Sequence, residues 1–285
     1  MPELPEVETA RRYLERGILG QSVSAIDVRL PKLLRDSPLP SLEPLLNQTV
    51  VAVGRRAKVL ILAFDHDLTL LVHLKLAGQV AVFLSSGERL VAGHPVPAPF
   101  GEYPHKVTHI EFHFAEGTVV YFSDVRQFGW FRLMPTSDVE AAIDAFAFGP
   151  EGTGALDVDA LSAIISRRSI PIKTLLLDQS FIAGLGNIYV DEVLFRSNIY
   201  PATAARDLSD AERNTVLGHV PAVLAEGIRQ GGAKIIHNIA QPVDQFPAVH
   251  GRGGEPCFVC ETTIEKIRVG SRGTYFCPNC QPPTH

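Results

Sequence analysis

Long apolar runs are missing from this 285-residue chain: none approaches the ~20 residues that a membrane-spanning helix requires. An excess of positive charge is missing too. The 26 Lys and Arg face 31 Asp and Glu, a formal net charge of −5, which argues against a protein that coats nucleic acid indiscriminately. Local phosphate contacts remain open, because they need a basic patch rather than a basic total. Arg55, Arg56 and Lys58, or Arg167, Arg168 and Lys173, could supply one, although charge alone favours reading them as solvated faces. The first residues, MPELPEVETARR, have no apolar core and do not read as a secretory signal, so a cytoplasmic address is expected. Cysteine is scarce: there are four, all between residues 257 and 280, and a reducing compartment argues against pairing them as disulfides.

What is present is ordinary globular composition, 46% hydrophobic and 20% charged. At roughly 100 to 200 residues per domain, the length suits two domains and a small appendage. Residues 4 to 17 read as a short helix, with Pro5 in its first turn, Glu6 and Glu8 near its positive end, Gly17 as its stop, and an apolar stripe of Val7, Ala10 and Leu14. From there to about residue 134 the chain is written in eight short β-type runs, SVSAIDVRL, TVVAVG, KVLILAF, LTLLVHL, QVAVFL, VTHIEFHF, TVVYFS and GWFRLM, which predict a β-sandwich or barrel. The Pro-rich stretch from Ser85 to Lys106 is expected to be an irregular surface loop. After Met134-Pro135-Thr136 the spacing turns helical as far as about residue 235. The expected class is multidomain α+β: an N-terminal β-sandwich domain over 1–135, a helical domain over 136–236, and a linker with a cysteine-bearing β-hairpin over 237–285.

Cys257-x2-Cys260 and Cys277-x2-Cys280, separated by sixteen residues, have the spacing of a four-thiolate zinc site, with the intervening stretch turning near Gly270 to Gly273. One zinc would replace the apolar core that so short a segment cannot build. A redox pair is the weaker reading, since redox CxxC motifs usually occur singly beside a βαβ unit. Four protein ligands leave no position for a reactive water, so any chemistry is expected elsewhere.

Met1-Pro2-Glu3-Leu4-Pro5-Glu6-Val7-Glu8 and the hairpin ending Cys277-Pro278-Asn279-Cys280-Gln281 resemble the formamidopyrimidine-DNA glycosylases of the Fpg/Nei family. The resemblance runs on through Gly54-Arg55-Arg56-Ala57-Lys58, His73-Leu74, Asp124-Val125-Arg126-Gln127-Phe128-Gly129, Gly184-Leu185-Gly186-Asn187-Ile188-Tyr189 and Gly251-Arg252-Gly253-Gly254-Glu255-Pro256-Cys257. It implies that the helical domain is a helix-two-turn-helix element and the appendage a zinc finger. It also implies a bacterial, nucleoid-associated base-excision repair enzyme, working as a monomer on damaged double-stranded DNA and without a membrane partner.

For individual residues the resemblance implies a nucleophilic amine at Pro2 once Met1 is removed, and a general acid/base at Glu3 with Glu6 in a positioning role. The chemistry agrees, because an α-amine titrates near ~8, well below a lysine, and is partly unprotonated at neutral pH. Lys58 is implied to contact DNA near the lesion and to aid catalysis; His73 is implied to bind DNA. Leu76, Arg126 and Phe128 are implied to fill the space a flipped base leaves. Leu76 replaces the usual methionine, and Gln127 stands where many relatives have a second arginine, which bears on opposite-base preference. Asn187, at a helix N-terminus, is implied to seat a phosphate. Arg272 is the matching zinc-finger arginine and Lys173 a further DNA-binding candidate. Read by periodicity alone, Leu76 and Phe128 would be core residues.

Three readings stand at this point: a glycosylase and abasic-site lyase for oxidised purines, a Nei-like glycosylase for oxidised pyrimidines, and a lesion-binding member without turnover. Leu4 favours the first. The stretch Ala233-Lys234-Ile235-Ile236-His237-Asn238 departs from the base-capping motif of 8-oxoguanine-processing relatives and is shorter, which keeps the second open.

Overall fold

The computed structural model describes residues 2–95, 102–236 and 239–283. The chain divides into two compact units, Met1–Phe146 and Ala147–His285.

The first unit opens with helix α1 (Leu4–Ile18). Strands β1 (Val23–Val28), β2 (Val50–Arg56), β3 (Val59–Phe64), β4 (Leu68–His73), β5 (Gly78–Phe83), β6 (Arg89–Gly93), β7 (Thr108–Phe114), β8 (Val119–Asp124) and β9 (Trp130–Pro135) follow, then helix α2 (Val139–Asp144). The strands form two antiparallel sheets, ordered β1-β7-β8-β5-β6 and β2-β3-β4-β9. Their inner faces meet in one core that includes Leu60, Leu62, Leu70, Val80, Val82, Ile110, Phe122, Phe131 and Leu133. The stripe Val7, Ala10, Leu14 and Ile18 of α1 is buried in that core, and the helix packs against β6 and β2, an edge strand of each sheet. β6 corrects the expectation of an irregular Ser85–Lys106. Buried Leu90 and Ala92 alternate with exposed Arg89 and Val91, a two-residue period too short and too close to glycine and proline to stand out in the sequence. Residues 96–101 of that stretch lie outside the described residues. Phe146 stacks on Trp130 at 6.0 Å between ring centroids, which keeps α2 with the first unit.

The sheet register places the functional turns. His73 at the end of β4 pairs with Val59 and with Trp130, so Lys58, His73 and Gly129 lie at one end of the four-stranded sheet. Gly78 pairs with Asp124 in the other sheet. The β4–β5 and β8–β9 connections therefore cross from sheet to sheet at a single end of the sandwich. There they carry Leu76 and the Arg126–Phe128 segment.

The second unit holds α3 (Val158–Ile165), α4 (Ile172–Leu176), α5 (Asn187–Arg196) and α6 (Asp210–Arg229). It ends in two hairpins, β10 (Ile235–Ile236) with β11 (Ile239–Ala240), and β12 (Glu265–Val269) with β13 (Arg272–Phe276). Ser209 and Glu212 close a capping box at the start of α6. The β12–β13 turn falls at Gly270 and Ser271, with Gly270 at φ +57°.

Because α1 supplies part of the sandwich core, Leu14→Ala is expected to destabilise the first unit by roughly 2–5 kcal/mol, the cost of a cavity of that size. Denaturant unfolding followed by tryptophan fluorescence measures it; a change below about 0.5 kcal/mol, the scale of a surface substitution, would contradict this packing.

Candidate active site and nucleic-acid interface

The start of α1 holds the predicted acid and nucleophile positions. Pro2 is buried and Glu3, the helix N-cap in extended backbone, is 1% exposed. The Glu3 N–H donates to Glu6 Oε2 at 2.8 Å, one arm of a capping box that ties both carboxylates to the helix terminus. One turn on, Glu8 accepts from Arg11, Arg12 and Arg55. Burial pushes the Glu8 carboxyl up, and the three guanidinium groups outweigh it and hold the group below the usual carboxylate range. Arg55 also donates to the Ala57 carbonyl at 2.7 Å. It thereby braces the β2–β3 turn, where Ala57 sits at φ +51° and Lys58 is buried. Arg55 is thus a brace between α1 and this turn rather than part of an open basic patch.

The β8–β9 turn is built on Asp124, which is fully buried. Its Oδ1 accepts the Arg126 N–H at 3.0 Å, and its Oδ2 accepts those of Phe128 at 2.9 Å and Gly129 at 2.8 Å. The Asp124 carbonyl accepts the Gln127 N–H at 3.2 Å. A Cβ on Gly129 would stand 2.7 Å from Phe122 Cζ, so this close approach needs glycine. The result is a rigid projection: Phe128 is 53% exposed, with the Arg126 guanidinium 5.1 Å from its ring centroid. A ring so exposed on so firmly held a backbone contradicts the core reading that periodicity favours. Gln127 takes φ +57° and accepts from Lys32 Nζ at 2.6 Å. Leu76 is half-buried on the neighbouring turn.

His73 is held neutral. The Lys75 N–H donates to its Nδ1 at 2.8 Å, so the remaining ring proton belongs on Nε2. Burial first, then the charges of Lys75, Lys58 and Arg132, push its pKa down to about 3. Its ring lies 5.5 Å from that of Trp130. His94, which the sequence reading did not single out, is also pushed down, to about 4, chiefly by burial.

In the second unit the predicted residues separate. Arg272 is exposed on β13. Asn187 opens α5 with its Nδ2 donating to the Gly273 carbonyl at 2.9 Å, so its amide is engaged in holding the hairpin. Lys173 is fully buried and pairs with Asp191 at 2.6 Å. The expectation that Lys173 meets DNA is therefore corrected: a cation enclosed beside its own carboxylate has no open face for a phosphate. The four cysteine Sγ atoms all lie within 4.8 Å of one another, with Cys257–Cys280 at 4.0 Å and Cys260 at 3.4 Å from both Cys277 and Cys280. A tetrahedral zinc with ~2.3 Å bonds sets sulfurs about 3.8 Å apart, so the set fits one structural zinc.

Two outcomes follow from this geometry. Unfolded histidine binds its proton near pH 6.5 while folded His73 and His94 do not, so the first unit loses stability as pH falls from about 6.5 toward 4. NMR should show the His73 ring signals unshifted between pH 8 and 5; titration near 6.5 would contradict the assigned environment. Stripping zinc with a chelator should abolish the near-ultraviolet signature of the β12–β13 hairpin and weaken DNA binding while the first unit's unfolding midpoint stays put; unchanged binding would refute the hairpin's role.

The sequence profile of the formamidopyrimidine-DNA glycosylase N-terminal domain matches residues 1–131, that of the formamidopyrimidine-DNA glycosylase H2TH domain matches 148–238, and that of the zinc finger found in FPG and IleRS matches 254–283. A formamidopyrimidine-DNA glycosylase of Streptococcus pneumoniae is 35% identical over 287 aligned positions, covering 99% of each chain. Among solved structures, the Lactococcus lactis Fpg in complex with DNA containing an abasic site superposes with a TM-score of 0.85 at 31% identity, covering 99% of this chain and 100% of that one. The same Lactococcus protein with DNA containing N7-benzyl-Fapy-dG gives a TM-score of 0.85 at 32% identity, with the same coverage. No helix among the described residues is long and apolar enough to cross a membrane. With its three domain profiles in order and full-length likeness to these relatives, the chain belongs to the formamidopyrimidine-DNA glycosylase family and is a base-excision repair glycosylase.

Proposed function

We propose that the chain removes oxidised purines, formamidopyrimidines and 8-oxoguanine, from double-stranded DNA and then nicks the abasic strand by β,δ-elimination. The observation that carries this reading is the start of α1. A secondary-amine residue is followed at once by an enclosed carboxylate, and both are fixed by the Glu3–Glu6 capping arm at 2.8 Å. Met1 lies outside the described residues; its removal would free the Pro2 nitrogen.

That nitrogen attacks C1′ of the damaged nucleotide. The base leaves with the electron pair of the glycosidic bond and takes up a proton. Glu3 protonates the deoxyribose ring oxygen, the bond from C1′ to that oxygen opens, and the Pro2 nitrogen, having lost its own proton, shares its lone pair with C1′. A secondary amine bonded to an aldehyde carbon gives an iminium ion directly. Loss of a C2′ proton then expels the 3′-phosphate, loss of a C4′ proton expels the 5′-phosphate, and water releases the sugar fragment. Glu6 positions the terminus. Lys58, on the turn braced by Arg55, engages the strand near the lesion. His73 donates from Nε2 to a DNA oxygen. Leu76, Arg126 and Phe128 fill the vacated stack. Arg272 grips phosphates flanking the lesion, and Asn187 supports it through Gly273. In this reading the chain acts as a monomer on damaged double-stranded DNA in the bacterial cytoplasm.

The hairpin β10–β11 favours a second reading, a preference for oxidised pyrimidines. Ile236 pairs directly with Ile239, which leaves only residues 237 and 238, both outside the described residues, where a longer base-capping segment would stand. Base release from duplexes carrying one formamidopyrimidine, 8-oxoguanine or oxidised pyrimidine lesion decides between them. Purine lesions should be released fastest and leave phosphates on both sides of the gap; faster pyrimidine release would move the chain to the second reading. Glu3→Gln should lower single-turnover excision by ~10²–10³-fold, the scale of a lost general acid, with DNA affinity within about threefold of wild type.

A further inference from the structure

Helix α5 carries two adjacent buried carboxylates, Asp191 and Glu192, that no step of the reaction uses. They divide their work. Glu192 accepts three consecutive backbone N–H groups, from Ala248 at 2.7 Å, Val249 at 3.0 Å and His250 at 2.9 Å. Asp191 reaches three separate segments. Its Oδ1 takes Lys173 Nζ of α4 at 2.6 Å, and its Oδ2 takes His250 Nδ1 at 2.7 Å and the Tyr275 N–H of β13 at 3.1 Å.

The consequence falls on Arg272. Lys173 Nζ donates a second time, to the Gly273 carbonyl at 3.2 Å, and that oxygen also takes Asn187 Nδ2 at 2.9 Å. The backbone directly after Arg272 is thus held at Gly273 by two side chains from the helical elements and at Tyr275 by Asp191 itself. On the other side of Arg272 the turn residues Gly270 and Ser271 are exposed, and Arg272 is the last residue of the ladder, paired with Val269. An arginine at such a turn would otherwise sample many heights above the hairpin, and a phosphate clamp loses affinity with each degree of freedom it must freeze on binding.

We infer that Asp191 is a positioning residue for DNA capture. It orients Lys173, and the pair fixes the β13 backbone so that the Arg272 guanidinium is presented in one place before DNA arrives. Zinc closes the far end of the hairpin; Asp191 sets its near end against the helices. This inference rests on the reading of Arg272 as a phosphate contact.

The test is a double-mutant cycle read by binding to a duplex with a single tetrahydrofuran abasic analogue, using the full zinc-loaded chain. Asp191→Asn and Arg272→Ala should each weaken binding at least tenfold, each lower the slope of log Kd against log salt by about one phosphate contact, and do no more together than Arg272→Ala alone. Zinc should stay at one per chain throughout. Binding by Asp191→Asn equal to wild type, or losses that simply multiply in the double variant, would overturn the inference. Should Asp191→Asn lose zinc or fail to fold, Asn187→Ala removes the second tie to Gly273 without stranding a buried charge. A several-fold loss that vanishes in the Arg272→Ala background supports the positioning role, and a loss that persists there refutes it. If Arg272→Ala alone binds like wild type, the underlying reading of Arg272 fails; if it binds weakly while Asp191→Asn binds normally, only the positioning role fails.

Discussion

The proposed chemistry of this chain depends on holding still the one part of a polypeptide that is ordinarily loose. Chain termini fray unless they are tied down, and a nucleophile at residue 2 is useful only if it has a fixed address. Two interactions supply it. The stripe Val7, Ala10, Leu14 and Ile18 sinks α1 into the sandwich core, with Val7, Leu14 and Ile18 each contributing about 1.5–3 kcal/mol. The Glu6 carboxylate then takes the Glu3 N–H at the helix start, so the segment ahead of α1 leaves the helix in a defined direction. Glu8 and Arg55 extend the same anchoring to the turn that carries Lys58.

The same device recurs at turns that the proposed mechanism sets against DNA. The β8–β9 turn and the zinc hairpin are each organised by a buried carboxylate that collects N–H groups or cations: Asp124 beneath Arg126 and Phe128, Asp191 beneath the hairpin, with Glu192 beside it holding the backbone of Ala248 to His250. Buried carboxylates are costly to desolvate, and each here is satisfied by several donors, as the interior requires. A rigid backbone at these exposed tips would present Phe128 and Arg272 in one place before binding, which lowers the entropic cost of capture. A formal charge of −5 is compatible with this arrangement, in which a few fixed contacts rather than a basic surface would supply the affinity.

Much of this was legible in the sequence because it is written in local chemistry. The CxxC pair announced the zinc site, and two-residue alternation announced most strands of the sandwich. The segment at β6 was missed because five residues flanked by turns carry too little period, and only the packing of α1 on that edge makes Leu90 and Ala92 core. Lys173 misleads for a different reason. A lysine near other basic residues looks like a DNA contact until its partner, eighteen positions away on another helix, is known. Asp191 and its partner His250 have no signal of their own, since the donors that define this buried carboxylate arrive from distant segments; Asp124 shows in the sequence only as the first residue of a family-like run. For Phe128 the motif was the better guide than the periodicity, because its exposure is set by the Asp124 turn and not by the strand.

The most direct test of the central claim is to find which atom the DNA becomes attached to. Processed protein, with Met1 removed, is incubated with abasic duplex under borohydride, and the trapped adduct is digested and mapped by mass spectrometry. The account predicts a sugar fragment on the Pro2 nitrogen and no adduct when that nitrogen is blocked by a retained Met1. An adduct on a lysine, or undiminished trapping with the terminus blocked, would contradict it.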